Sequence, residues 1–188
     1  MILPIVRYGQ PILRQAAKPI DKEYANIKEL VANMYETMYA AHGIGLAAPQ
    51  IDIPIAVFVV DVDCLKENYP DAIGFKRTFI NPELLEESGE EWYFNEGCLS
   101  VPDIHEDVKR KSIIKVRYFD ENFVQHTETL TGICARVFQH EYDHLQGKVF
   151  IERLSPLRRS LLKRKLNDIA DGHTTPDYKM KTVQYKHK

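Results

Sequence analysis

Gly132-Ile133-Cys134-Ala135-Arg136-Val137-Phe138-Gln139-His140-Glu141-Tyr142-Asp143-His144-Leu145-Gln146-Gly147 is the stretch on which the fold turns. Gly132 can open the way into a helix and Gly147 supplies a C-terminal stop, so the helical spacing between them predicts a helix over residues 133–146. At about 100° per residue, His140 and His144 lie only about 40° apart, with Glu141 flanking them. Ile133 and Val137 project in the same sector. Phe138, Tyr142 and Leu145 fall on another and would pack into a core. The stretch reads as the central helix of the molecule.

Upstream, residues 24–40 carry Ile27, Leu30, Val31, Met34 and Met38 at helical spacing, and His42-Gly43 can end that helix. Residues 43–50, rich in glycine and small side chains, read as an extended loop. Strand-like runs follow at 55–61, 77–80, 84–87 and 92–94. Residues 112–119 and 124–130, joined by Asp120-Glu121-Asn122, form a hairpin. Downstream, Ser155-Pro156 starts a helix whose apolar stripe is Leu157, Leu161, Leu162, Leu166 and Ile169. Its Arg158, Arg159, Lys163, Arg164 and Lys165 read as a solvated face rather than an RNA-binding patch. Strands and helices do not alternate, which predicts an α+β fold: antiparallel sheets packed around a central metal-binding helix, with an N-terminal and a C-terminal helix.

The 188 residues fit a single catalytic domain over 1–172, followed by a loose tail over 173–188. The connection 63–76 carries no motif. With 44% hydrophobic and 28% charged residues the chain should fold. A net charge of -2 gives no basic field for phosphate backbones, which argues against sequence-specific binding of nucleic acid. No leader pattern or membrane span is visible, so the expected location is the cytoplasm. Three unequally spaced cysteines, Cys64, Cys98 and Cys134, suggest reduced thiols.

His140-Glu141-Tyr142-Asp143-His144 is an H-E-x-x-H pattern, which offers two imidazoles to one ion and places a carboxylate beside it. A catalytic ion needs a third protein ligand and an open position. Phe150 stands where one zincin subclass has its third histidine, and no glutamate follows on the next helix. The ligand must come from elsewhere. Cys98, in Asn95-Glu96-Gly97-Cys98-Leu99-Ser100, is the best candidate, since Gly97 lets the backbone approach a neighbour. Cys134 lies about 120° from His140 on the same helix and points away from the ion.

Three motifs together resemble the peptide deformylase family: Gly43-Ile44-Gly45-Leu46-Ala47-Ala48-Pro49-Gln50, Glu96-Gly97-Cys98-Leu99-Ser100 and Gln139-His140-Glu141-Tyr142-Asp143-His144-Leu145. They stand in the family's order, and the C-terminus resembles the bacterial group that ends in a helix. The resemblance implies a metal-dependent hydrolase that removes the N-formyl group from the initiator methionine of new polypeptides, releasing formate. It implies Cys98, His140 and His144 as ligands of one divalent ion, iron(II) by preference, with zinc, nickel or cobalt as alternatives. Glu141 is then the acid/base, and the Gln50 amide and Leu99 N–H receive the charge on the formyl oxygen. Ile44, Gly45 and Gly97 would meet the substrate backbone, and Arg110 matches a substrate-contacting position. Ile133, Val137 and Phe94 would wall the methionine pocket. Formylmethionyl nascent peptides are the implied partners, with the ribosome near its exit site as the place of encounter. The residues alone reach only metal-assisted hydrolysis. A different amidase or peptidase, or a binding module with a structural ion and His42, His105, His126 or His173 as fourth ligand, also satisfies them.

Overall fold

The computed structural model describes residues 1–182. Strand β1 (Ile5–Val6) leads through a short 3-10 turn to helix α1 (Ile27–Ala40), which buries Ile27, Val31, Met34 and Met38 on one face. Asn26 enters α1 at φ 59°, a left-handed conformation that asparagine tolerates. Residues 43–50 are more ordered than a loop: Gly45–Ala47 is strand β2 and Ala48–Ile51 a 3-10 turn. Small side chains are loop signals in a sequence, but Leu46, Ala47 and Ala48 are fully buried and the strand is set by pairing with its neighbour.

Strands β3 (Val57–Asp61), β4 (Lys76–Cys98), β5 (Val101–Phe119) and β6 (Gln125–Thr131) complete an antiparallel sheet in the order β2-β3-β4-β5-β6. The three short strands expected between residues 77 and 94 are one strand. Register shifts near Ile80, Leu84 and Ser88 break its alternation, and the run from Glu86 to Glu91 is polar because this middle stretch of β4 faces water.

Helix α2 (Gly132–Leu145) lies against this sheet, where Phe138 packs edge-on to Phe58 and Phe79 with ring centroids 5.2 and 5.0 Å away. Helix α3 (Pro156–Ala170) begins at Ser155, whose hydroxyl accepts the Arg158 N–H at 3.2 Å. Only Leu162, Leu166 and Ile169 of the expected stripe are buried; Leu157 and Leu161 face outward. After Gly172, where a loose tail was expected, the chain returns to the body, and strand β7 (Met180–Lys181) pairs parallel with β1. Residues 183–188 lie outside the described part. No helix among the described residues is long and apolar enough to cross a membrane.

Candidate metal centre

The turn from β4 to β5 carries Cys98 to the face of α2 that bears the two histidines. One ligand atom from each of Cys98, His140 and His144 lies within 4.8 Å of the other two. Cys98 Sγ is 3.4 Å from His144 Nε2. His42, His105, His126 and His173 do not join this group. Cys134 turns away, as its helical angle predicted, and its thiol donates to the Asp71 carbonyl at 3.1 Å.

A layer of buried charge holds the histidine side in place. Glu96 accepts from His140 Nδ1 at 2.9 Å, which leaves Nε2 of that ring free to face an ion. The same carboxylate meets Arg110 at 2.7 and 2.9 Å and Arg136 at 2.9 Å. Arg110 also reaches Asp143 at 2.7 Å, and Arg153 closes the network with two bonds of 2.6 Å to Asp143. Burial alone would raise Glu96, but its bonds to Arg110 and His140 hold it well below the ordinary carboxylate range. Burial would likewise depress His140, yet its contacts with Cys98 and Glu96 hold it well above its ordinary value. His144 has no carboxylate on its ring, and its Nδ1 has no hydrogen-bond partner: burial, aided by His140, brings it down to about 3.

Arg110, expected to touch substrate, is 3% exposed and spent in this network. A guanidinium between two buried carboxylates has no reason to turn outward. Ile133 is also displaced from its expected place: it is fully buried in the main core, one helical turn further from the cleft than Val137. Glu96, Arg136 and Asp143 were not expected. Charges at positions 136 and 143 of a helix otherwise destined for the core were the available signal.

Cys98 and His140 open into a cleft of about 720 Å³, with His144 buried behind them. Ile44 and Gly45, Gly97 to Leu99, and the apolar Phe94 and Val137 line the cleft. Because β2 is an edge strand of the sheet, its outer side can take a further strand. Gly45 must be glycine for a second reason, since a side chain there would collide with the Glu141 carboxylate. Glu141 is buried, and one of its oxygens has no hydrogen-bond partner. Burial pushes this carboxyl up to about 7, with His140 opposing the shift and Glu96 adding to it. Gln50 is fixed by the Ala47 N–H, which donates to its Oε1 at 2.9 Å. Its amide nitrogen therefore points at the site, 3.4 Å from Cys98 Sγ and 3.2 Å from Ser100 Oγ. One thiolate and two imidazoles form a donor set that suits a divalent transition ion, and their convergence beside an unpartnered carboxylate oxygen fits such an ion with a place left for water.

Residues 2–160 match the sequence model of the polypeptide deformylase family. The peptide deformylase of Flavobacterium johnsoniae is 50% identical over 193 aligned residues, which cover 99% of this chain and 98% of that protein. Among solved structures, a peptide deformylase from Legionella pneumophila is similar at a TM-score of 0.79 and 36% identity, covering 89% of this chain and 95% of its own. The peptide deformylase from Thermotoga maritima is similar at a TM-score of 0.75 and 42% identity, over 83% and 99% of the two chains.

Proposed function

The chain belongs to the peptide deformylase family, and from that premise we propose which of its residues carry the reaction and which ion they hold. The protein is a metal-dependent hydrolase that removes the N-formyl group from nascent polypeptides. Residues 1–172 form the body of one catalytic domain, and the segment after Gly172 folds back onto it. Cys98, His140 and His144 bind a single divalent ion, which when present acidifies water and polarises a carbonyl. The observation that carries this reading is the meeting of the three ligand atoms within 4.8 Å beside buried Glu141.

Glu141 takes the proton of the attacking water and passes it to the amine as the formyl C–N bond breaks and a C–O bond forms; formate and a free N-terminus result. Its burial favours the protonated form, which lets the carboxyl hold the proton between the two transfers. Gln50 Nε2, aimed by the Ala47 contact, and the Leu99 N–H donate to the formyl oxygen as negative charge develops there. Ile44, Gly45 and Gly97 meet the peptide backbone as an added strand, and Phe94 and Val137 wall the methionine side chain.

Iron(II) is the native ion, and zinc, nickel or cobalt can replace it, since a thiolate with two imidazoles accepts all four. The reaction takes place in the cytoplasm, on chains emerging at the ribosomal exit. The test is formate release from formyl-Met peptides and their unformylated counterparts, with metal content measured on protein prepared without oxygen. Glu141→Ala should abolish release while retaining the ion; an active variant would sink the role of Glu141. Air should inactivate the iron form through oxidation of the ion or of Cys98, and the nickel form should survive.

A further inference from the structure

The segment that follows α3 lines the cleft, and nothing in the reaction as assigned makes use of it. Thr175, Pro176, Asp177 and Tyr178 form part of the cleft wall, beyond the stretch 2–160 that matches the family. The segment is anchored at both ends by contacts outside the cleft. Arg7 Nη1 donates to the Thr174 carbonyl at 3.2 Å, β7 pairs with β1, and Lys181 Nζ reaches Asp52 at 2.9 Å. Between these anchors, the Tyr178 hydroxyl donates to the Leu99 carbonyl at 2.8 Å. The ring packs in the same apolar cluster as Leu99 and Met38. On its other side Leu99 is pressed against the glycine loop, since a Cβ at Gly43 would lie 2.7 Å from Leu99 Cδ1.

Leu99 is therefore gripped at its carbonyl by the C-terminal segment and at its side chain by Gly43. Its N–H is the donor assigned above to the formyl oxygen. We propose that Tyr178 is a positioning residue for deformylation, holding the backbone at Leu99 so that this N–H meets the developing charge, and that Thr175 to Tyr178 form a further wall of the peptide cleft. The inference rests on the role given to Leu99 in the preceding section. A preformed donor contributes only when its direction is fixed before the charge appears, and a tether from a separately anchored segment supplies that direction.

Tyr178→Phe removes the hydroxyl and keeps the ring, and the flanking anchors keep the segment in place. It should lower kcat about tenfold, because a donor shifted by a fraction of an ångström loses much of its effect. KM for formyl-Met-Ala-Ser should stay within about a factor of two, a change too small to count as lost ground-state binding. Metal content and melting temperature should match wild type. Deleting residues 173–188 should lower kcat at least as far and also raise KM, because a wall is lost. Unchanged kcat in Tyr178→Phe overturns the proposal, as does a fall in kcat that merely tracks lost metal or lost stability. Absence of formate release from the wild-type chain in the same assay would instead overturn the assigned site; release by wild type with an undiminished Tyr178→Phe variant overturns the role of Tyr178 alone.

Discussion

Helices α2 and α3 are 14 and 15 residues long, yet α2 buries twelve of its residues and α3 only Leu162, Leu166 and Ile169. The difference does not lie in charge, for α2 contains Arg136, His140, Glu141, Asp143 and His144. It lies in partners. Arg136 and His140 both meet Glu96, and Asp143 meets Arg110 and Arg153. Arg159, Lys163, Arg164 and Lys165 on α3 stay in water. Burying a charge costs several kcal/mol unless a partner stands ready. A helix can therefore be wholly interior and strongly polar when other elements supply the counter-charges, and in α2 that polar interior positions the site.

Breaking α2 should have consequences of a kind that α3 cannot produce. The largest is expected for His144→Ala, which leaves two ligands: metal analysis should find the ion lost at micromolar protein and formate release at background, and full retention of both would remove His144 from the site. Next, Asp143→Ala leaves Arg110 and Arg153 without their shared carboxylate and should cost about 3 to 5 kcal/mol in denaturant unfolding; a loss below about 1 kcal/mol would mean that water already screens the network.

The same network sets the response to acid. Burial opposes the ionised form of Asp143, but Arg153 and Arg110 outweigh it and hold its pKa below the ordinary value; Glu96 is depressed in the same way by Arg110 and His140. A depressed carboxylate contributes stability that is complete above its unfolded pKa of about 4 and is withdrawn as pH falls through the folded value. Urea midpoints should therefore show the share of stability carried by these two carboxylates constant above about pH 5 and dropping away below about 4, on top of the shallower changes that His144 and Glu141 contribute between about pH 7 and 4. Arg110→Met should flatten that drop, and an unchanged acid slope in the variant would contradict the assignment.

The smallest effects belong to α3. Leu166→Ala, at a buried position, should cost about 2 kcal/mol, whereas Leu161→Ala, exposed on the same helix, should stay within about 0.5 kcal/mol. Equal costs would show that the outer side of α3 is covered in solution.

The pairing of His140 with His144 was legible because its geometry is local, and the structure brings Cys98 to them. Histidines four apart on a helix share a face whatever surrounds them, and the missing third ligand had to be sought elsewhere, at Cys98. Arg110 was misread because a cationic run, Lys109-Arg110-Lys111, looks alike in sequence whether its middle residue faces water or a buried carboxylate; strand alternation sends only Arg110 inward. Ile133 and Val137 share a helical sector, but sector alone does not say how far along the axis the cleft extends. The strap formed by Thr175 to Tyr178 left no trace at all, since a segment without apolar period can be ordered only by what it lies against.

By itself, the sequence determined the three helices, the β5–β6 hairpin, and the shared helical face of His140 and His144 with Glu141 beside them, because helical angle and strand alternation act over a few neighbouring residues. The tertiary structure alone decided which charges are paired inside, that β4 is one long strand, which apolar residues of α2 reach the cleft, and that residues 175–178 line it. Those outcomes depend on counter-charges, register and anchors contributed by segments far apart in the chain, where proximity arises only once the sheet and α2 have packed together.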